Sequence, residues 1–159
     1  MLSRLLPAHL DNDFRGYQAA IWIFALITAF KLALGLVHVF SADGGAQTMS
    51  HIPLDSYAAG AAQNVVGIFA RLGLEQLLLG AFFVIVLLRY RAMIPLMFLL
   101  ALVTQAGAFA LAACKPLSLT VSPGAAPMHL VLSGLYIAGL VLSLLGGKSA
   151  GAPPDAGAR

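Results

Sequence analysis

Arg71 and Glu75 stand one helical turn apart within residues 64–91, NVVGIFARLGLEQLLLGAFFVIVLLRYR. On a helix this i, i+4 spacing puts both side chains on one face. Two kinds of chemistry follow. Glu75 can give or take a proton as a general acid or base, with Arg71 or Lys31 stabilising negative charge that develops beside it. Alternatively the three groups, formally +1 together, can hold an anionic or carbonyl-bearing head group. Other polar side chains sit inside apolar runs and belong to the same candidate set: Lys31, His38, Gln105, His129 and Tyr136. Thr28, Lys31, Gly35 and His38 follow the helical period, and so do His129, Ser133, Tyr136 and Ser143.

Several chemistries lack their residues. A metal centre needs at least three converging donors, and His38, His129, Glu75 and His51 show no HxxxH or HxxE spacing, so no metal and no cofactor is expected. Cys114 is the sole cysteine, which removes an intramolecular disulfide, a CxxC pair and a multi-cysteine site. Ser133 and His129 are one turn apart, but there is no GxSxG elbow to expose a nucleophile. The net charge of +3 comes without a basic cluster interleaved with aromatics, so no nucleic-acid partner is expected.

The elements that must position these residues are membrane spans. Of 159 residues, 60% are hydrophobic and 9% charged, far from the balance of a water-soluble domain. The apolar runs predict an all-α polytopic membrane protein, an antiparallel four-helix bundle with spans over residues 17–40, 64–88, 93–113 and 128–145. Residues 1–16 mix leucines with charges and suit a cytoplasmic segment lying at the membrane surface. The first span is expected to act as an uncleaved signal anchor. Asp55 or Ser56 is placed to cap the second helix, which would then begin outside the bilayer. Residues 114–127 contain three prolines and read as a loop, and residues 147–159 form a small-residue tail expected to be disordered.

Basic residues outside the spans set the orientation. Arg4, Arg15, Arg89, Arg91, Lys148 and Arg159 fall on one side and Lys115 alone on the other. Both termini are therefore expected in the cytoplasm of a cell with an inner membrane, and residues 41–63 and 114–127 outside it. Counting inward from the outer helix ends at ~1.5 Å per residue puts Lys31 at ~13 Å, Arg71 at ~10 Å, Glu75 at ~16 Å and Gln105 at ~12 Å. Four polar groups from three helices share a layer, which predicts a polar seam descending from the outer surface to Glu75. Gly67, Gly73, Gly80, Gly107, Gly134 and Gly139 offer places where helices can approach closely.

The segments GLVHVF, FARLGLEQLLLG, RYRAMIPLM and the KP of the following loop together resemble small bacterial four-helix membrane proteins of the DoxX-like group, over residues 17–146. The resemblance implies a fold and a membrane setting, with no catalytic residue carried over. The thiol features of some DoxX-related oxidoreductase systems are missing, Cys114 being alone.

These observations predict a non-enzymatic inner-membrane protein that binds a small amphipathic molecule or a partner membrane protein through the seam, with the lipid bilayer as solvent. Oligomers are compatible with it. Two rivals stay open: a membrane enzyme acting on a lipid-soluble substrate with Glu75 as acid or base, and a structural subunit of a membrane complex whose ion pair fixes helix register. A transporter would need oligomerisation to form a path.

Overall fold

The computed structural model describes residues 2–119 and 125–146. Every regular element among them is helical: α1 (Leu2–Leu5), α2 (Gln18–Phe40), α3 (Ala59–Arg89), α4 (Ile94–Cys114) and α5 (Ala125–Leu144). Short 3₁₀ turns at Leu54–Ser56 and Arg91–Met93 join them. Three stretches are long and apolar enough to cross a membrane, Gln18–Phe40, Ala59–Arg89 and Arg91–Cys114, and the apolar part of α5, Met128–Leu144, is shorter.

Helix boundaries depart from expectation at two places. The helix carrying the span expected over 64–88 does begin before that span, at Ala59 and not at Asp55 or Ser56, and Ala58 before it provides no side-chain cap. Asp55 does not cap it either, because its carboxylate accepts from the Gln47 side-chain amide and its backbone lies in the 3₁₀ turn. The last helix reaches back to Ala125 instead of starting at Met128. Pro127 then occupies its first turn, where a missing N–H breaks no helical bond. The expected tail over 147–159 and the centre of the 114–127 loop lie outside the described residues.

The helices pack in the order α3, α2, α5, α4, and α3 meets α4 chiefly through the turn at Arg91–Met93. Residue pairs across each interface run in opposite senses: Gly35 meets Gly73 while Leu32 meets Gly80, and Phe98 meets Gly139 while Gln105 meets His129. Neighbours are therefore antiparallel. One end of the bundle carries the basic residues Arg89 and Arg91; the other carries the loop of residues 41–58.

The main core lies towards the basic end. Phe24 packs against Phe83 with ring centroids 5.0 Å apart and against Phe98 at 5.6 Å in an edge-on arrangement, so α2, α3 and α4 meet at one aromatic contact. Ala20, Ile21, Ile27, Val86, Ile94, Met97 and Tyr136 complete it. The N-terminal segment is tied beneath this end: the Arg4 guanidinium donates to the Leu144 carbonyl at 3.0 Å, and the Tyr17 N–H donates to the Leu142 carbonyl at 3.0 Å. At the loop end a smaller cluster of Ala46, Ile52 and Leu54 packs on Val65, Val66 and Phe69 of α3, and Leu119 joins it. Between these clusters α4 from Val103 to Cys114 and the first part of α5 are largely exposed.

Candidate functional site

The seven candidate residues separate into five places. Arg71 and Glu75 share a face of α3, as their spacing requires, but both are exposed and neither forms an ion pair or hydrogen bond among the described residues. Among the described residues they meet neither each other nor a polar group of another helix, so the expected seam down to Glu75 is not formed within the chain. The reason lies in the other face of α3: Gly73, Gly80, Phe83 and Val86 are its buried positions, and they turn Arg71 and Glu75 away from α2. Lys31 is half-buried on α2 and has no polar partner among the described residues.

Gln105 and His129 do come together. The Gln105 side-chain amide and His129 Nδ1 are 3.0 Å apart, bridging α4 and α5, and the Phe109 ring stands edge-on to the imidazole. Depth alone groups Gln105 with Lys31, Arg71 and Glu75, yet its partner is His129 of α5, and Arg71 and Glu75 face elsewhere. Tyr136 is buried in the aromatic core, one turn or more below that contact, and serves packing there.

His38 belongs to the loop end. Its Nδ1 lies 2.6 Å from the Gly44 carbonyl oxygen, so Nδ1 carries the proton and donates, since a carbonyl can only accept. The ring also sits edge-on to Phe69 of α3. His38 and His129 therefore make separate contacts, one at the loop end and one between α4 and α5, and the expected polar seam does not join them. Gly44 and Gly45 have φ of 60° and 74°, a left-handed turn that glycine adopts without strain and that brings the Gly44 carbonyl back onto His38.

Asp43 is the residue that sequence reasoning missed in this loop. Its carboxylate accepts from the backbone N–H groups of Gly45 at 2.9 Å, Gln47 at 3.1 Å and Thr48 at 2.8 Å. Those donors, Thr48 foremost, hold its pKa well below the usual carboxylate range. The signal was the Asp-Gly-Gly sequence, because a short acidic side chain before glycines bonds its own backbone a few residues on. A depressed folded-state pKa means that this stabilisation is complete above the ordinary carboxylate value and fades as the pH falls through and below about 4. Thermal unfolding in detergent should show the natural chain losing stability between pH 6 and pH 3. An Asp43→Asn variant should start lower and change less over that interval; parallel curves would contradict the assignment.

Only half of the candidate glycines act as contact points. A Cβ at Gly73, Gly80 or Gly139 would fall within 3 Å of a neighbour, whereas at Gly67, Gly107 and Gly134 it would meet nothing within 4 Å. Gln76, beside Glu75 in sequence, turns inward, and its buried Oε1 has no hydrogen-bond partner among the described residues.

Among the described residues, the pockets open to the surface include two. One of about 150 Å³ lies at the basic end, lined by Arg4, His9, Asp11, Asp13, Arg15 and Ser143 among others. The other, about 230 Å³, is an apolar depression between Ile52, Tyr57, Ile68, Phe69 and Leu117. Neither is lined by Lys31, Arg71, Glu75, Gln105 or His129. Among the described residues no three His, Cys, Asp or Glu side chains converge as metal ligands would. Comparison with protein-family models, with curated proteins and with solved structures gave no match to this chain.

Proposed function

We propose that this chain is a four-span bacterial inner-membrane protein, with both termini in the cytoplasm, that binds a partner membrane protein through the exposed face of α3. The observation that carries this reading is the pair Arg71 and Glu75, exposed and unpaired on a helix long and apolar enough to cross a membrane. At 31 residues α3 is about 46 Å long, more than the ~30 Å hydrocarbon thickness, so roughly ten residues project beyond it. With Arg89 at the inner interface, the membrane-embedded part runs back to about Ala70.

That registration separates the two charges. Arg71 lies near the outer boundary, where its long stem can carry the guanidinium to the head groups. Glu75 is one turn deeper and too short to escape. A carboxylate left against lipid there costs up to ~3 kcal/mol on insertion scales, a cost that a protein partner removes. A small amphipathic ligand would call for a cavity beside these groups, and the same holds for a lipid-soluble substrate using Glu75 as acid or base. Glu75 stands on an open helix face, which favours a protein partner over both. The resemblance of the sequence to DoxX-like four-helix proteins belongs to this proposal for the four spans and says nothing of the partner.

Glu75→Gln tests the reading, with assembly size on native gels of gently solubilised membranes and thermal unfolding measured on the same samples. Glu75 has no contact within the chain, so the unfolding temperature should stay within about 1 °C while the assembly weakens about tenfold, or ~1.4 kcal/mol. An assembly unaffected by the change would contradict it. A lower unfolding temperature with the assembly intact would show that the group serves only the bundle.

A further inference from the structure

The exposed face of α3 has a second regularity. Positions spaced alternately four and three residues run from Gly60 through Gly67, Arg71, Leu74 and Leu78 to Leu88, and every position in that series is exposed. A seam with an average period of 3.5 residues is the pattern of two helices packed side by side with a slight left-handed supercoil. α2 does not use it, since it packs against the opposite face at Gly73 and Gly80.

We propose that the occupant is a second copy of this chain, docked α3 against α3 about a two-fold axis, with Arg71 of each copy paired to Glu75 of the other. This rests on the partner-binding reading above and names the partner. Copies of one membrane protein share an orientation, so their α3 helices run parallel and a two-fold axis sets each residue level with its own counterpart. Arg71 and Glu75 then differ in height by ~6 Å, which a long arginine side chain can bridge.

The charges favour a self-pair. One acid and one base per copy make two reciprocal ion pairs and leave the seam neutral. Pairing within one helix is the poorer choice, because a base one turn before an acid is the less favourable order for an i, i+4 pair, and the isolated chain does not form it. Towards the loop end, Gly60 and Gly67 have nothing within 4 Å of where a Cβ would stand, so a second helix can approach the backbone closely there. Towards the basic end, Leu74, Leu78, Ile85 and Leu88 supply the apolar part of the seam.

Cysteine crosslinking in native membranes tests the contact. In a Cys114→Ser background, Leu78→Cys lies on the seam and Leu79→Cys lies about 100° around the helix from it. Oxidation should link copies through position 78 at least tenfold faster than through position 79. Equal rates, or no link at 78, would overturn the proposal. If Glu75→Gln still dissolves a larger assembly in that case, the partner is a different protein and the partner-binding reading survives without this inference.

Charge exchange between copies tests the pairing itself. Copies carrying Arg71→Glu and copies carrying Glu75→Arg, each also carrying Leu78→Cys and a different tag, should self-link about tenfold less than the natural charge pattern. Expressed together they should form the mixed link at near the natural rate. A mixed link no better than either self-link would overturn the reciprocal pair. Should the charge-altered copies fail to accumulate, the comparison of positions 78 and 79 with natural charges decides alone.

Discussion

Gly73→Leu should abolish accumulation of the folded protein. At this point α2 and α3 approach until backbone faces backbone: a Cβ on Gly73 would lie 2.6 Å from the His38 Cβ and 2.9 Å from the Gly35 carbonyl oxygen. The reciprocal position is equally tight, a Cβ on Gly35 falling 3.0 Å from the Gly73 carbonyl oxygen. Neither obstacle is the end of a flexible chain, so any side chain must part the helices. Parting them would also disturb His38, which fastens the loop through Gly44. Even Gly73→Ala should cost about 1–3 kcal/mol, within the range for overpacked cores. Gly80 provides the control, because a Cβ there meets the Leu32 side chain. Gly80→Ala should be rescued in large part by Leu32→Ala, while no side-chain truncation on α2 should rescue Gly73→Leu. Thermal unfolding in detergent reads all of these, and a well-folded Gly73→Leu protein would refute the close contact.

Phe98→Ala should be the most damaging truncation. The ring is fully buried, edge-on to Phe24, and lies over Gly139 so closely that a Cβ there would stand 2.2 Å from two of its carbons. In water such a truncation typically costs 3–5 kcal/mol, a transfer term plus a cavity term. Between membrane helices lipid is as apolar as the core, so the transfer term shrinks and lost packing remains, leaving about 2–3 kcal/mol. The ring and the missing Cβ of Gly139 occupy one volume, which makes a sharper prediction. Gly139→Ala alone should destabilise, yet in the Phe98→Ala background it should be neutral or stabilising, a coupling of about 1 kcal/mol or more. Additive effects in detergent unfolding would mean that the two residues are not in contact.

The long apolar helices and the tight basic turn could be read from run length and from Arg89, Tyr90 and Arg91. Facing could not. In these helices both sides are apolar, so the usual asymmetry that orients a helix in water is missing. Arg71 and Glu75 were legible as a pair on one face, while the direction of that face depended on Gly73 and Gly80, whose role emerges only with Gly35 and Leu32 across the interface. The contact of Gln105 with His129 was not legible from depth, since residue counts put Gln105 ~12 Å in and His129 at the outer end of its span. Equal depth failed for Lys31 and Glu75 because it fixes height without fixing azimuth. The start of α3 at Ala59 and the bonding of Asp43 were obscured by a loop whose polar side chains serve their own backbone.

Accessibility of α3 inside the bilayer tests the central claim most directly, that its Arg71 and Glu75 face is covered by protein. Spin labels would be attached singly at Leu74→Cys, Leu78→Cys, Leu72→Cys and Leu79→Cys in a Cys114→Ser background, and their collision with lipid-dissolved oxygen measured in native membranes. In the isolated chain Leu74 and Leu78 are the more exposed, at 55% and 65% against 43% for Leu72 and 41% for Leu79, so the fold by itself predicts the opposite order. Protein docked along the line of Arg71, Leu74 and Leu78, with Glu75 at its edge, predicts low accessibility at 74 and 78 and severalfold higher accessibility at 72 and 79. Equal, high accessibility at all four would leave Glu75 against lipid and contradict the account.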